Sequence, residues 1–169
     1  SNFSEVRDQL SGYDACFYAM GISSAGMKEQ EYKRITYDFT LALAQTLVKI
    51  NPEMTFNYVS GKGTDSSEKG KVMWARVKGK TENDLLYMGF KQSFMFRPNA
   101  ILPLRGIKSK TKLYQFMYDY FLWLVKLLKF ISPYSVVNTT QLGLAMIHSV
   151  SKGYPEKIVN PKDIIVLAE

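Results

Sequence analysis

Two side chains able to hydrogen-bond a polar ligand stand 18 residues apart, Ser60 and Lys78. Ser60 ends a β-rich run and precedes a polar loop. Lys78 lies in a predicted helix four residues after Trp74, so the indole and the ammonium share one helix face. A lysine favours the charged form of an adjacent acid, but an indole N–H is a hydrogen-bond donor and not a useful acid. The pattern therefore offers a hydroxyl and a cation, with no acid at the aromatic position.

Strands and helices alternate along the chain. The sequence predicts strands over residues 14–21, 55–59, 92–96 and 164–167, and helices over residues 30–50, 72–87, 112–131 and 140–152. Such alternation predicts βαβ units and an α/β fold with a mostly parallel sheet, because parallel neighbours need a crossover. Ligands bind beyond the carboxyl ends of such strands. We therefore expect the loops after Gly21, Ser60 and Phe96 to line one crevice.

The length and composition indicate one ordinary globular domain over residues 1–169, with a formal net charge of +7. That charge suits an anionic partner such as a phosphate-bearing cofactor, but no RNA-recognition signature accompanies it, and no nucleic-acid partner is expected. The single cysteine and the lack of a signal-peptide pattern predict a cytoplasmic protein. The most apolar stretch, residues 113–131, contains three charged residues, so no transmembrane segment is expected.

Four segments of the chain together resemble a known family. They are Ala19-Met20-Gly21, Tyr58-Val59-Ser60-Gly61, Trp74-Ala75-Arg76-Val77-Lys78-Gly79 and Phe96-Arg97-Pro98-Asn99-Ala100-Ile101. In this order they are similar to the atypical short-chain dehydrogenase/reductase superfamily, in particular to its Tat-interacting-protein-like branch with an NAD(P)-binding Rossmann domain. The resemblance covers nearly the whole chain. It implies a Rossmann-like, three-layer αβα fold with a mostly parallel sheet.

The resemblance also implies a nicotinamide cofactor, NADP or NAD. At the catalytic positions, Ser60 would hold a substrate carbonyl and Lys78 would hold the nicotinamide ribose hydroxyls. Trp74 stands where the family has its acid, a tyrosine, so we expect weak or no carbonyl reduction through this position. The cofactor-binding residues that the resemblance implies are Ala19, Gly21, Ser60, Lys78, Arg97 and Pro98.

The family begins with a strand, a Gly-rich turn and a helix that cradle the cofactor pyrophosphate. No Gly-x-x-Gly-x-x-Gly pattern occurs here, and the sequence opens roughly where the family enters its fourth strand. We therefore expect the N-terminal strands of the family fold to be missing from this chain. The strand after Tyr13 would then have a bare edge, and we expect a homo-oligomer formed through it.

Two functions follow from these patterns, and the sequence leaves both open. The first is an NAD(P)-binding oxidoreductase or epimerase that acts on an unknown small molecule. The alternative is a non-catalytic module that senses a nucleotide or contacts a protein. A weaker third possibility is a charge-driven binder of nucleic acid or of a membrane surface, whose binding would fall steeply with salt.

Several other residues have structural interpretations. A solvated loop explains Lys62, Lys69 and Lys71, and a partly buried structural position explains His148. Cys16 is expected to be an inert core thiol. With one histidine and one cysteine, the sequence offers no zinc set. The predicted helix over residues 113–131 could cover a substrate pocket, join two subunits or meet a membrane surface.

Overall fold

The computed structural model describes residues 3–104 and 136–169. The chain divides into two compact units. One comprises Ser1–Arg97 with Pro155–Ile158, and the other comprises Pro98–Tyr154 with Val159–Glu169. That the whole chain forms a single domain stays a prediction, as does the helix over residues 112–131, which lies outside the described residues.

The first unit repeats a strand–helix order. Its elements are two short 3-10 helices (Ser4–Val6 and Asp8–Leu10), strand β1 (Ala15–Tyr18), helix α1 (Glu29–Lys33), a π-helical turn (Arg34–Asp38), helix α2 (Phe39–Ile50), strand β2 (Thr55–Val59), helix α3 (Met73–Leu86) and strand β3 (Gln92–Phe96). The three predicted strands and two predicted helices of this region are confirmed. The first of those helices contains the π-helical turn, which the apolar spacing does not predict.

The second unit holds shorter strands and two helices. Its elements are strand β4 (Ala100–Leu102), strand β5 (Val136–Asn138), helix α4 (Thr139–Ser151) and helix α5 (Pro161–Leu167), and strand β6 (Ile158–Val159) lies at the boundary between the units. Strands β4 and β5, which pair in parallel, were not predicted from the sequence. Helix α4 confirms the helix predicted over residues 140–152.

The strand predicted over residues 164–167 is wrong, because these residues belong to helix α5. Pro161 occupies the first turn of that helix, where its fixed φ angle favours helical geometry and its missing N–H has no cost. The backbone N–H of Asn160 donates to Asp163 Oδ2 at 2.9 Å, which fastens the start of the helix. These local signals make residues 164–167 the continuation of a helix.

The main sheet has four strands in the order β1-β2-β3-β6. Strand β2 lies parallel to β1, with Tyr58 opposite Tyr18, and parallel to β3, with Tyr58 opposite Met95. Four of the five residues of β2 are buried, as is usual for a parallel strand covered on both faces. The α/β class with a mostly parallel sheet is thus confirmed, and it is consistent with a Rossmann-like three-layer fold.

The core of the first unit lies between its helices and one face of the sheet. Ala44 and Leu47 of α2 and Leu85 of α3 cluster with strand residues that include Phe56 and Tyr58. Burial of these side chains holds α2 and α3 on the sheet and supplies most of the driving force for folding. In the described part of the chain, no helix is both long enough and apolar enough to span a bilayer.

Candidate functional site

The carboxyl ends of β1, β2 and β3 meet at one edge of the sheet. They are followed in the chain by Ala19, Ser60 and Arg97. The N–H of Ser60 donates to the carbonyl oxygen of Phe96 at 2.9 Å, which continues the pairing of β2 with β3 beyond the strand ends. This edge is the place where parallel α/β sheets bind ligands, and Ser60 and Arg97 are held next to each other on it.

Ser60 is buried at the end of β2 and contacts a carboxylate. Its hydroxyl hydrogen-bonds to Oε1 of Glu82, and its Oγ lies 3.1 Å from the carbonyl oxygen of Phe96. Glu82 belongs to α3 and is fully buried. A carboxylate taken out of water needs charged or hydrogen-bonding partners, and Ser60 supplies one of them.

Arg97 supplies the opposite charge for Glu82. Its Nε lies 3.1 Å from each carboxylate oxygen, and its terminal nitrogen Nη2 also bonds to Oε2. The same Nη2 donates to the hydroxyl of Ser66 at 2.5 Å. The Arg97 side chain is only 13% exposed. This pairing neutralises the buried carboxylate and fastens the end of β3 to α3 and to the loop that precedes α3.

Lys78 lies one turn before Glu82 on the same helix. Its Nζ donates to the backbone carbonyl oxygen of Ser60 at 2.5 Å. Burial lowers the pKa of Lys78, and the nearby charge of Glu82 opposes that shift. Helix α3 therefore contacts Ser60 with two charged side chains. Lys78 bonds to the backbone carbonyl oxygen of Ser60, and Glu82 bonds to its hydroxyl.

Trp74 packs on the loop that follows Ser60. A Cβ atom placed on Gly63 would lie 3.4 Å from the Cη2 atom of the indole, which is ordinary contact, so the ring lies beside this glycine. Gly63 has a φ angle of +89°, which side-chain-bearing residues rarely adopt. The indole thus has a packing role, and the site offers no acid at this position.

The loop between Ser60 and α3 is fixed by close contact with the helix. The N–H of Asp65 donates to the carbonyl oxygen of Ala75 at 3.0 Å. Within the loop, hydrogen bonds from Ser67 and from the N–H of Gly70 hold the pKa of Asp65 below its usual range. A Cβ placed on Gly79 would lie 1.8 Å from the Asp65 carbonyl oxygen. Because Gly79 has no Cβ, the backbone of α3 at this residue can contact the loop backbone at Asp65.

The structure brings some of the predicted site residues together and not others. Ser60, Lys78 and Arg97 share the network around Glu82. Ala19 and Gly21 are exposed in the loop after β1. Pro98, the residue after Arg97, is buried and belongs to the second unit. Whether these residues bind a cofactor stays a prediction.

Sequence reasoning missed Glu82 and Ser66. Glu82 has a signal that could have identified it, because it follows Lys78 by four residues and therefore lies on the same face of a helix. A glutamate on the buried face of a helix needs a cationic partner, and this requirement points to an arginine elsewhere. Ser66 has no comparable signal, since its partner, Arg97, is 31 residues away in the chain.

The structure also shows the surroundings of those residues for which the sequence indicated a structural role. The side chains of Lys62, Lys69 and Lys71 are exposed. Burial raises the pKa of the Cys16 thiol to about 11, which favours the unreactive thiol form. His148 is half-buried, with its Nδ1 2.7 Å from the carbonyl oxygen of Leu167. Across the described ranges, no three His, Cys, Asp or Glu residues are grouped to hold a metal ion.

The fold and the network define a class, namely an α/β protein with a parallel sheet whose carboxyl edge carries a serine, a lysine and an arginine–glutamate pair. No protein-family model matches the sequence. The chain is 30% identical over 101 residues to Protein FMP52, mitochondrial, from Debaryomyces hansenii, across 59% of this chain and 43% of that protein. It is 28% identical over 99 residues to Protein FMP52-2, mitochondrial, from Scheffersomyces stipitis, across 57% of this chain and 42% of that protein.

These relatives correct two predictions. The assignment to the Tat-interacting-protein-like branch is wrong, because the similarity found is to FMP52 proteins. The prediction of a cytoplasmic protein is also wrong, because both relatives are named as mitochondrial. The similarity is to proteins related to the short-chain dehydrogenases, at low identity, and it specifies no activity. The matched part of the chain spans less than half the length of either relative.

Proposed function

We propose that this chain is part of a mitochondrial protein that binds a nicotinamide dinucleotide, NADP or NAD, together with a small hydroxyl or carbonyl compound. The observation that supports the proposal most is the convergence of Ser60, Lys78 and Arg97 at the carboxyl edge of the parallel sheet. The similarity to proteins related to the short-chain dehydrogenases supports the same cofactor class. Chemistry at such a site would be of the oxidoreductase or epimerase kind.

The polar groups of the site fit the nicotinamide-ribose half of such a cofactor. An ammonium group beside a serine at a strand end is suited to the hydroxyls of a ribose. Lys78 has three hydrogens on Nζ, and the Ser60 carbonyl uses one of them, so donors remain for a ligand. The exposure of Ala19 and Gly21 would leave room for the cofactor to pass along the loop after β1. When bound, the dinucleotide would supply or accept a hydride.

The residues of this chain would then bind and orient the ligand. Lys78 would hold ribose hydroxyls, and Ser60 would contact the reacting oxygen of the small molecule. Arg97 would act indirectly, since its guanidinium already serves Glu82 and Ser66. Trp74 would pack beside the ligand and supply no proton at the position where a tyrosine could. We therefore expect slow or undetectable carbonyl reduction through this position.

The second candidate function is a module that binds the dinucleotide without turning it over. The packing of Trp74 on Gly63 favours it, because this contact gives the indole a role that needs no chemistry. Such a module would use the same donors for binding and would signal through a protein partner. Homo-oligomer formation through the edge of β1, which no other described strand pairs with, is a further proposal and is compatible with either function.

The deciding experiment is a fluorescence titration of the full chain with NADPH and with NADH. We expect saturable binding of at least one of them, weakened about tenfold or more by Lys78→Met, because a charged hydrogen bond to the ribose is lost. Lys80→Met is the matched control, since Lys80 lies on the same helix and pairs with Asp84 instead. Equal weakening in both variants, or no binding of either dinucleotide, contradicts the proposal.

Turnover separates the two candidates. Hydride transfer is followed at the absorbance of the reduced cofactor with a panel of small ketones and alcohols. Turnover that disappears in both Ser60→Ala and Lys78→Met supports the enzyme. Tight binding with no turnover of any panel member supports the sensing module.

A further inference from the structure

We propose that Glu82 is a positioning residue that fixes the Ser60 hydroxyl as a hydrogen-bond acceptor toward its ligand. The ligand group that meets Ser60 must then be a donor, such as an alcohol hydroxyl or an amide N–H, and not a bare carbonyl. The inference rests on the proposed function in one respect, namely that Ser60 contacts the ligand. It reverses the expectation from the sequence that Ser60 holds a substrate carbonyl.

The side chain of Glu82 is 0% exposed, and both of its carboxylate oxygens are contacted by the Arg97 guanidinium. An arginine remains charged at all ordinary pH values, and a carboxylate paired with it accepts hydrogen bonds and donates none. The contact between Ser60 Oγ and Glu82 Oε1 must therefore use the serine hydrogen.

A serine hydroxyl has one hydrogen to donate. The only other hydrogen-bond partner of this Oγ, among the described residues, is the Phe96 carbonyl oxygen at 3.1 Å, which is also an acceptor. Whichever of the two acceptors takes the hydrogen, no hydrogen is left for a ligand. The charged carboxylate takes it, because charge-assisted hydrogen bonds are about twice as strong as neutral ones.

The Ser60 Oγ can still accept hydrogen bonds. Lys78 donates to the backbone carbonyl oxygen of Ser60 and not to its Oγ, and no other donor of the described residues reaches Oγ. The lone pairs of Oγ therefore remain for a ligand. Of an alcohol and its ketone, only the alcohol carries a hydrogen for these lone pairs, so the site selects the alcohol.

The test compares cyclohexanol with cyclohexanone, which differ in little but this hydrogen. Binding is measured by NMR chemical-shift titration of the full chain, with and without NADP. We expect the wild-type protein to bind cyclohexanol roughly fivefold more tightly, the size of one net hydrogen bond. Ser60→Ala should remove the preference. Glu82→Gln should reduce or reverse it, because an amide can donate to Oγ and free the serine hydrogen for a carbonyl.

Asp84→Asn is the matched control, because Asp84 is a carboxylate on the same helix that pairs with Lys80 and Tyr37 instead. It should leave the preference unchanged. A preference of the wild-type protein for cyclohexanone, equal or undetectable binding of the two compounds, or a preference that survives in Ser60→Ala overturns the inference.

A second readout needs no added ligand and stays informative if Glu82→Gln does not fold. The proton NMR spectrum of the wild-type protein should show a slowly exchanging, downfield hydroxyl signal that is missing in Ser60→Ala and close to Glu82 side-chain protons. A serine hydroxyl that exchanges rapidly with water overturns the inference. Failure of the dinucleotide to bind would contradict the proposed function alone, because neither readout depends on it.

Discussion

The pair of Arg97 and Glu82 combines a largely buried guanidinium with a fully buried carboxylate. Such a pair adds little net stability when complete, because desolvation offsets most of the attraction. Removing one partner is different, since the other charge is then left in the interior without compensation. The value of the pair therefore lies in the geometry that it imposes on Ser60.

Replacing Arg97 tests this view. Arg97→Met should lower the free energy of unfolding by about 3–5 kcal/mol, because the Glu82 carboxylate stays buried without a counter-charge. The double variant Arg97→Met with Glu82→Gln should recover a large part of that loss, since no buried charge remains. Urea unfolding followed by circular dichroism measures both values. If the free energy of unfolding of Arg97→Met fell by less than about 1 kcal/mol, Arg97 would not be needed to compensate the buried charge of Glu82.

The residues of the site were only partly predictable from sequence. The sequence singles out Ser60 at the end of a strand and Lys78 four residues after Trp74. The structure places Ser60 and Lys78 in contact. The spacing of four residues from Lys78 places Glu82 on the same helix face, but its pairing with Arg97, 15 residues away on another element, leaves no periodic trace in the sequence. The side chains next to Ser60 are known only once β2, α3 and β3 have been assembled.

At the scale of elements, the packing of α3 against its own preceding loop depends on Gly79. In the interior of an exposed helix, a glycine is destabilising by roughly 1 kcal/mol relative to alanine. Here the carbonyl of Asp65 occupies the space that a Cβ would need. Because the obstacle is backbone, it cannot be removed by turning a side chain.

Gly79→Ala should therefore destabilise the protein, by about 1–3 kcal/mol as for other overpacked sites, and should displace the loop from the helix. Gly143→Ala is the control, because no atom of the described residues lies within 4 Å of a Cβ placed on this glycine of α4. That substitution should be neutral or stabilising by up to about 1 kcal/mol. Thermal unfolding of the two variants compares them directly. A stable Gly79→Ala protein would show that the loop yields easily.

The hydrophobic pattern predicted the helices of more than ten residues and the strands of the first unit. It misassigned residues 164–167 and did not predict the short strands β4 and β5. The strand–helix order from β1 to β3 was predicted with bounds close to those observed. The hydrophobic pattern predicts a strand over residues 164–167, but four apolar residues have no period that distinguishes strand from helix. The helix-start signal of Asn160 and Pro161 contradicts a strand, and the structure follows that signal.

Strand β1 stands at the end of the four-stranded order, and among the described residues it pairs only with β2. Two large apolar side chains near this edge are exposed, Tyr13 at 58% and Phe17 at 49%. Free backbone groups beside apolar side chains favour pairing with another strand. Self-association through β1 is therefore expected.

Phe17→Lys should weaken this self-association, because a lysine on an edge strand opposes strand pairing. The molecular mass in solution, measured by light scattering over a range of concentrations, should fall toward that of a single chain. Tyr87→Lys provides the control, because Tyr87 is the most exposed large apolar residue of the first unit, at 90%, and follows α3. A wild-type protein that stays monomeric at high concentration contradicts the expectation.

The bond between Lys78 and the backbone of Ser60 connects ligand binding to the folding of the first unit. Ser60 reaches its native position only when β2 has paired with β3 and α3 has been laid on the sheet, so no partly folded chain presents the complete set of donors and acceptors. A compound that binds there must favour the fully folded form over every other form. Each compound of a library can thus be tested for a rise in the melting temperature of the protein, which would identify ligands of this site without any assay of activity.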